Sequence, residues 1–279
     1  MEETTAEFAV AELAPGEALR VRTRVSVGAR TDLGRVRENN EDKFEFFVPE
    51  DDAILARRGS VFLVCDGMGG HAAGQIASEL AAKTFLDVYY EHPAAEPADA
   101  MVAAVVAANR FVVSVGAAVP ARRGMGTTLT GLILIQDQGY LVHAGDSRLY
   151  RLREGHLQQM SNDHTVMEEM VRSGVLTREQ AAAHPQKHAI LRCIGLPDGV
   201  EPDVHRFDLH VGDAFFLCSD GVTNHVDDAA LLRLMTAHGP GDLARRAVSE
   251  ALLGGGSDNA TALTVRIYGL DSVADDRGQ

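Results

Sequence analysis

Apolar positions along the chain follow two periods. Val21–Ala29 (VRTRVSVGA) alternates residue by residue, which predicts a strand with one buried face. Val61–Val64 and Ala214–Cys218 are short continuous apolar runs, the pattern of fully buried strands. Gly124–Gly139 and Tyr140–Arg153 predict adjacent antiparallel strands with a turn at Gln136–Gly139, and Ala260–Tyr268 predicts a final strand. Helical spacing replaces alternation elsewhere. Ala73, Ile76, Ala77, Leu80, Ala81, Phe85 and Val88 form one stripe, ended by His92-Pro93. Ala98–Val119 carries a second stripe that stops at Pro120. Asp227–Ala237 and Asp242–Leu253 predict a helix pair.

Between the strands, Glu154–Gly195 reads as a helical insertion. Its helices are Thr165–Gly174 and Thr177–His184, the latter opened by a capping-box pattern at Thr177 and Gln180. Asp51–Ser60 reads as a polar loop. Residues 1–20 are expected to be a flexible extension, 21–269 one domain with a flap over about 154–195, and 270–279 a polar tail. Strands grouped together with helices in blocks predict an α+β fold of about eight to ten strands in antiparallel sheets, not a parallel βαβ fold.

Charge narrows the function. The 279 residues carry 40 acids against 26 bases, a net charge of −14, which argues against general nucleic-acid binding. No apolar run is read as approaching the ~20 residues of a membrane span. The three cysteines, Cys65, Cys193 and Cys218, are widely spaced without a CxxC pair, so neither a disulfide framework nor a zinc knuckle is indicated. A reducing, cytoplasmic location is the expectation.

The chemistry gathers at strand ends. Asp66, Asp220 and Asp258 each stand where an apolar strand meets a Gly-rich turn, and Asp146 lies in a similar turn. Each motif alone is equally well a β-turn or a helix cap. Together they predict converging carboxylates. At about 4 Å a like-charge pair costs roughly 4 kcal/mol at an effective dielectric near 20. Divalent cations remove that cost, and an all-oxygen donor set suits Mg²⁺ or Mn²⁺. Asn39-Asn40-Glu41-Asp42, running into Phe44, places two further carboxylates beside a core strand.

In this order, VRENNED, DGMGGHAAG, GMGTTLT, HAGDSR, HPQ, CSDG and GGGSDN resemble the bacterial form of the metal-dependent serine/threonine protein phosphatases, the protein phosphatase 2C (PPM) family, over about Val25–Ile267. The resemblance implies a β-sandwich of two antiparallel sheets flanked by helices. It implies Asp66 bridging two Mn²⁺ or Mg²⁺ ions, the Gly67 carbonyl on the second, and Asp220 and Asp258 completing the first. Glu41 would act through bound water, with Asp42 supporting from behind. Arg37 would grip the substrate phosphate, and His71 would protonate the leaving alkoxide. Asp146, with His188 of the flap, would serve a third ion. The implied reaction is direct hydrolysis of phosphoserine or phosphothreonine by a hydroxide bridging the ions, without a phospho-enzyme. Phosphorylated proteins are the expected partners, among them a Ser/Thr kinase and its substrates, and a monomer is expected. Alternatives are a hydrolase of small phosphate esters, a binding module without activity, and a Ca²⁺-stabilised β protein.

Overall fold

The computed structural model describes residues 18–70, 72–186 and 189–273. The chain runs β1 (Val21–Asp32), β2 (Asp42–Phe47), α1 (Asp52–Arg58), β3 (Ser60–Met68), α2 (Ala72–Glu91) and α3 (Pro97–Ala118). It continues through β4 (Gly126–Thr127), β5 (Leu129–Ile135), β6 (Gln138–Ala144), β7 (Arg148–Arg153), β8 (His156–Gln159), α4 (Val166–Arg172) and α5 (Arg178–Ala182). The last elements are β9 (Asp203–Asp208), β10 (Ala214–Cys218), α6 (Asp220–Thr223), α7 (Asp228–Ala237), α8 (Pro240–Leu253) and β11 (Ala260–Ser272).

The strands form two antiparallel sheets, ordered β1-β11-β10-β7-β8 and β2-β3-β5-β6-β9, with β4 paired to β3. Residue alternation explains the layering. In β3, Val61, Leu63 and Cys65 join a core with α2 and α3, while Phe62 and Val64 join the core between the sheets. In β10, Phe216 and Cys218 face α7 and α8, while Phe215 and Leu217 face the other sheet. Period-two burial on both faces of a strand gives helix–sheet–sheet–helix layers. This is the α+β sandwich that the resemblance implied.

Several expectations are corrected. Asp51–Ser60 holds a helix, α1, whose N-terminus is capped by the Asp51 side chain accepting from Ile54 N–H at 2.9 Å. Tyr140–Arg153 is two strands in different sheets, β6 and β7, broken at Gly145, where φ is +126°. The insertion opens with the β7–β8 hairpin before its helices begin. β11 extends through Asp271 and Ser272, which pair with Arg22 and Val21, so the sheet continues into the expected tail. α3 is long and apolar enough to cross a membrane by length and composition, contrary to the expectation that no segment approaches that length. Its Met101, Ala104, Val105, Ala108 and Val112 side chains are buried in the core shared with α2. The expected capping box at Thr177 and Gln180 is present.

Candidate active site

Between the sheets the inward-facing rows change from apolar to acidic toward one end. Phe62 and Val64 lead to Asp66, and the neighbouring strand places Asp42 opposite Asp66, two residues before the partly buried Phe44. Phe215 and Leu217 lead to Ser219, after which Asp220 opens α6. The carboxylates thus continue the core rows past the point where hydrocarbon fills them. A cleft of about 580 Å³ forms there. Arg37, Glu41, Asp66, Gly67, Asp146, Asp220 and Asp258 all line it, together with Thr128, Asn224 and Ile190. Asp42 is buried and does not line this cleft. His71 and His188 lie outside the described residues.

Each wall is tied to the next. Asp66 N–H donates to the Thr128 hydroxyl at 2.9 Å, and the Asp66 carbonyl accepts from Thr127 Oγ1 and Thr128 N–H at 2.9 Å each. Gly67 N–H donates to the Glu41 carbonyl at 3.1 Å, and that carbonyl also accepts from Ser78 Oγ at 2.7 Å. A Cβ at Gly67 would stand 2.2 Å from the Gly74 carbonyl oxygen and 2.6 Å from that of Glu41. Only glycine allows β3, α2 and the Glu41 segment to meet this closely, and Gly67 meets the cleft with backbone alone. Arg37 Nη2 donates to Asp258 Oδ2 at 2.7 Å.

Asn259, which the sequence presents only as part of a turn, joins the two acidic segments. Its Oδ1 accepts from Glu41 N–H at 2.8 Å, and its Nδ2 donates to the Leu33 and Asn39 carbonyls at 2.8 and 2.9 Å. The side chain is 3% exposed. Asp-Asn after glycines is a generic turn pattern, so this role had no signal beyond adjacency to Asp258. Asn259→Ala will lower stability by about 2–4 kcal/mol, because buried backbone groups lose their partners. It will also loosen the segment carrying Arg37 and Glu41. Urea unfolding together with a substrate KM measurement checks this; parent-like values for both would remove Asn259 from the site.

Electrostatically the cleft is costly. Burial raises Asp66 well above the ordinary carboxylate range, reinforced by Asp42, Asp220, Asp146 and Asp258. Burial likewise raises Asp42 to about 7, against the opposing Ser219 and Thr261 hydroxyls. Ser219 Oγ donates to Asp42 Oδ2 at 2.7 Å, whereas Asp42 Oδ1 is buried without a hydrogen bond. Among the described residues, no group of three His, Cys, Asp or Glu side chains is arranged to hold an ion as it stands, and Arg37 lies against Asp258 instead. The donor set still fits a hard divalent cation. It consists of oxygens, it gathers acids whose mutual repulsion a cation would relieve, and its backbone glycine leaves room at the wall. Cys65 is fully buried and its thiol is pushed up by that burial, so it is no nucleophile.

The protein phosphatase 2C family model matches residues 37–250, which contain the Arg37, Glu41, Asp66, Asp146 and Asp220 segments of this cleft. The chain belongs to the protein phosphatase 2C family. Serine/threonine protein phosphatase PstP of Mycobacterium tuberculosis is 36% identical over 252 residues, covering 90% of this chain and 47% of PstP. The chain therefore spans about half the length of that relative. Serine/threonine phosphatase stp of Listeria innocua is 34% identical over 243 residues, covering 85% of this chain and 93% of stp. Among solved structures, the catalytic domain of PstP in complex with two manganese ions aligns with a TM-score of 0.76 at 33% identity, covering 88% of this chain and 99% of that one. Family membership explains why the acids, the arginine and the glycine wall occur together in this chain.

Proposed function

We propose that the chain is a protein serine/threonine phosphatase that hydrolyses phosphoserine and phosphothreonine in proteins. The observation that carries this reading is the convergence of Asp66, Asp146, Asp220, Asp258 and Arg37 on one cleft, within a chain of this family. Two Mn²⁺ or Mg²⁺ ions would be held by Asp66, Asp220, Asp258 and the Gly67 carbonyl, with Glu41 acting through water and Asp146 available to a third. When bound, such ions supply charge neutralisation at the phosphoryl group and activation of water.

The chain's own residues supply the rest. Arg37 presents a planar fork of N–H donors that matches phosphate oxygens. Its present partner is Asp258, in a pair with side-chain exposures of 47% and 30%. A pair this open contributes no more than about 1 kcal/mol. Exchanging Asp258 for a substrate phosphate therefore costs little, and the exchange frees the carboxylate for a cation. His71 is assigned the proton for the leaving alkoxide on its motif. The same proposal places the chain in the cytoplasm as a monomer acting on a Ser/Thr kinase and its substrates; the three free, buried cysteines accord with a reducing compartment.

Turnover of phosphoserine and phosphothreonine peptides, titrated with Mn²⁺ and Mg²⁺, tests the proposal. Activity is expected to vanish in excess chelator and return with added metal. Full turnover in chelator would overturn the metal assignment. Turnover of p-nitrophenyl phosphate or nucleotides with none of phosphopeptides would favour a small-ester hydrolase instead.

A further inference from the structure

The turn carrying Asp146 is held by a residue from the root of the flap. His164 N–H donates to the Gly145 carbonyl at 2.7 Å, and Gly145 N–H donates to His164 Nδ1 at 3.3 Å. Both backbone polar groups of the glycine preceding Asp146 are thus satisfied by one histidine. The other ring nitrogen, Nε2, lies 3.2 Å from Asp203 Oδ2 on β9. That carboxylate accepts Nε2–H and so fixes the tautomer in which Nδ1 is the acceptor. Arg192 Nη1 holds the same carboxylate from its other oxygen, at 3.0 Å. Leu191 N–H donates to the His164 carbonyl at 2.7 Å, so the outgoing and returning ends of the flap meet at this residue. The cluster is built rather than incidental. His164 is 6% exposed, and its ring packs against that of the fully buried His143 at 4.7 Å between centroids.

Gly145 has φ of +126°, and a Cβ there would stand 2.5 Å from Thr128 Cγ2, so the turn is crowded against the residue whose hydroxyl also accepts from Asp66 N–H. A glycine turn in this region of backbone space keeps one conformation only if its surroundings enforce it. The Thr128 hydroxyl meets Ser147 Oγ at 2.7 Å on the far side of Asp146. The turn is therefore gripped by the flap root on one side and by Thr128, between β4 and β5, on the other. Asp146 borders the main cleft and also a second hollow of about 360 Å³ beneath the flap helices, lined by Met167, Val171 and Arg178.

We propose that His164, oriented by Asp203, is a positioning residue that sets the Asp146 carboxylate and ties its placement to the seating of the flap. The inference rests on the assignment of Asp146 to a cation site. Partners that orient a ligand from behind typically change metal affinity by roughly 10–100-fold when removed.

The test uses the full chain with His164→Ala, His164→Asn, Asp203→Asn and Asp146→Asn. Hydrogen–deuterium exchange of the peptide containing Gly145 is measured without metal, and manganous chloride binding is measured by calorimetry. In His164→Ala, exchange at Gly145 is expected to speed up at least about tenfold, and the weakest Mn²⁺ site to weaken about tenfold or more. The tighter sites are expected to stay as in the parent. His164→Asn keeps an acceptor near the Nδ1 position and should recover most of both effects. Asp203→Asn should fall between them, and it serves in place of His164→Ala should that variant not fold.

Parent-like exchange at Gly145 in His164→Ala and Asp203→Asn would overturn the clasp. Faster exchange with unchanged Mn²⁺ binding, while Asp146→Asn loses a site, would overturn the positioning role. If Asp146→Asn itself binds Mn²⁺ as the parent does, the assignment of Asp146 fails, and the exchange measurement alone decides the clasp.

Discussion

Asp66→Asn will lower kcat by about three orders of magnitude and, in chelator, will raise the melting temperature. The two effects share one cause. Asp66 stands at the end of an apolar strand, with Asp42 directly across the ladder and Asp146, Asp220 and Asp258 around the same cleft. Burial and these neighbours hold its pKa well above the ordinary range. An acid whose pKa is raised by folding favours the fold while protonated; that contribution fades as pH rises through the folded-state value. An ionised Asp66 therefore costs stability, and a neutral isostere removes the cost. Several kcal/mol of transition-state charge stabilisation depend on the cations it would hold, and each 1.36 kcal/mol is about tenfold in rate. Calorimetric melting in chelator and in Mn²⁺, beside phosphopeptide turnover, reads both. The variant should melt a few degrees above the parent in chelator and gain less than the parent from Mn²⁺. A lower melting temperature in chelator, or turnover near the parent's, would refute the account.

Gly67→Ala will damage stability and activity together. The added Cβ would meet two backbone oxygens, of Gly74 on α2 and of Glu41, and neither can rotate away as a side chain can. Overpacking of this kind costs about 1–3 kcal/mol, and more where backbone must move. A melting temperature roughly 5–10 °C below the parent's is expected at the usual sensitivity for chains of this size. The relief open to the molecule is a separation of β3 from α2, which displaces both the Gly67 carbonyl and Glu41. A turnover loss of about a hundredfold or more should therefore accompany the lower melting point, and raising Mn²⁺ should recover only part of it. An unchanged melting temperature would show that the three segments are looser than the packing implies.

The sequence disclosed most of this site because its acids interrupt strong local patterns. Asp66 and Asp220 follow buried apolar runs, and Asp258 follows three glycines, so each was visible against its flanks. The buried strands were legible from their continuous apolar runs, as in β3 and β10. Other features were hidden by physics that acts at a distance. α1 is only seven residues long, too short for a helical stripe to show; the Asp51 cap and the burial of Leu55 and Ala56 make it. The break between β6 and β7 falls at a single glycine whose backbone is hydrogen-bonded to His164, nineteen residues on. Asn259 and His164 owe their roles to partners far away in sequence, which no local window contains. Arg37 pairing with Asp258 is likewise a long-range result: the same motif residues were expected to face phosphate and metal, and the structure shows the contact they make with each other.

The pairing of β1 with β11 bears on how the molecule is made. These are the first and last strands described, joined from Val21↔Ser272 to Thr31↔Thr261 and Asp32↔Ala260, and β1 is the outermost strand with β11 as its neighbour in the sheet. On the ribosome, β1 emerges before every other described strand and waits for its hydrogen-bonding partner until all of them have been made. Asp258 and Asn259 immediately precede that partner, so the cleft gains its last acid and its fastener only when synthesis reaches the final strand. Such long-range closure is slow and leaves an open strand edge in the meantime. A nascent chain of this kind keeps an incomplete cleft, with one wall and one acid missing, until β11 has left the exit tunnel.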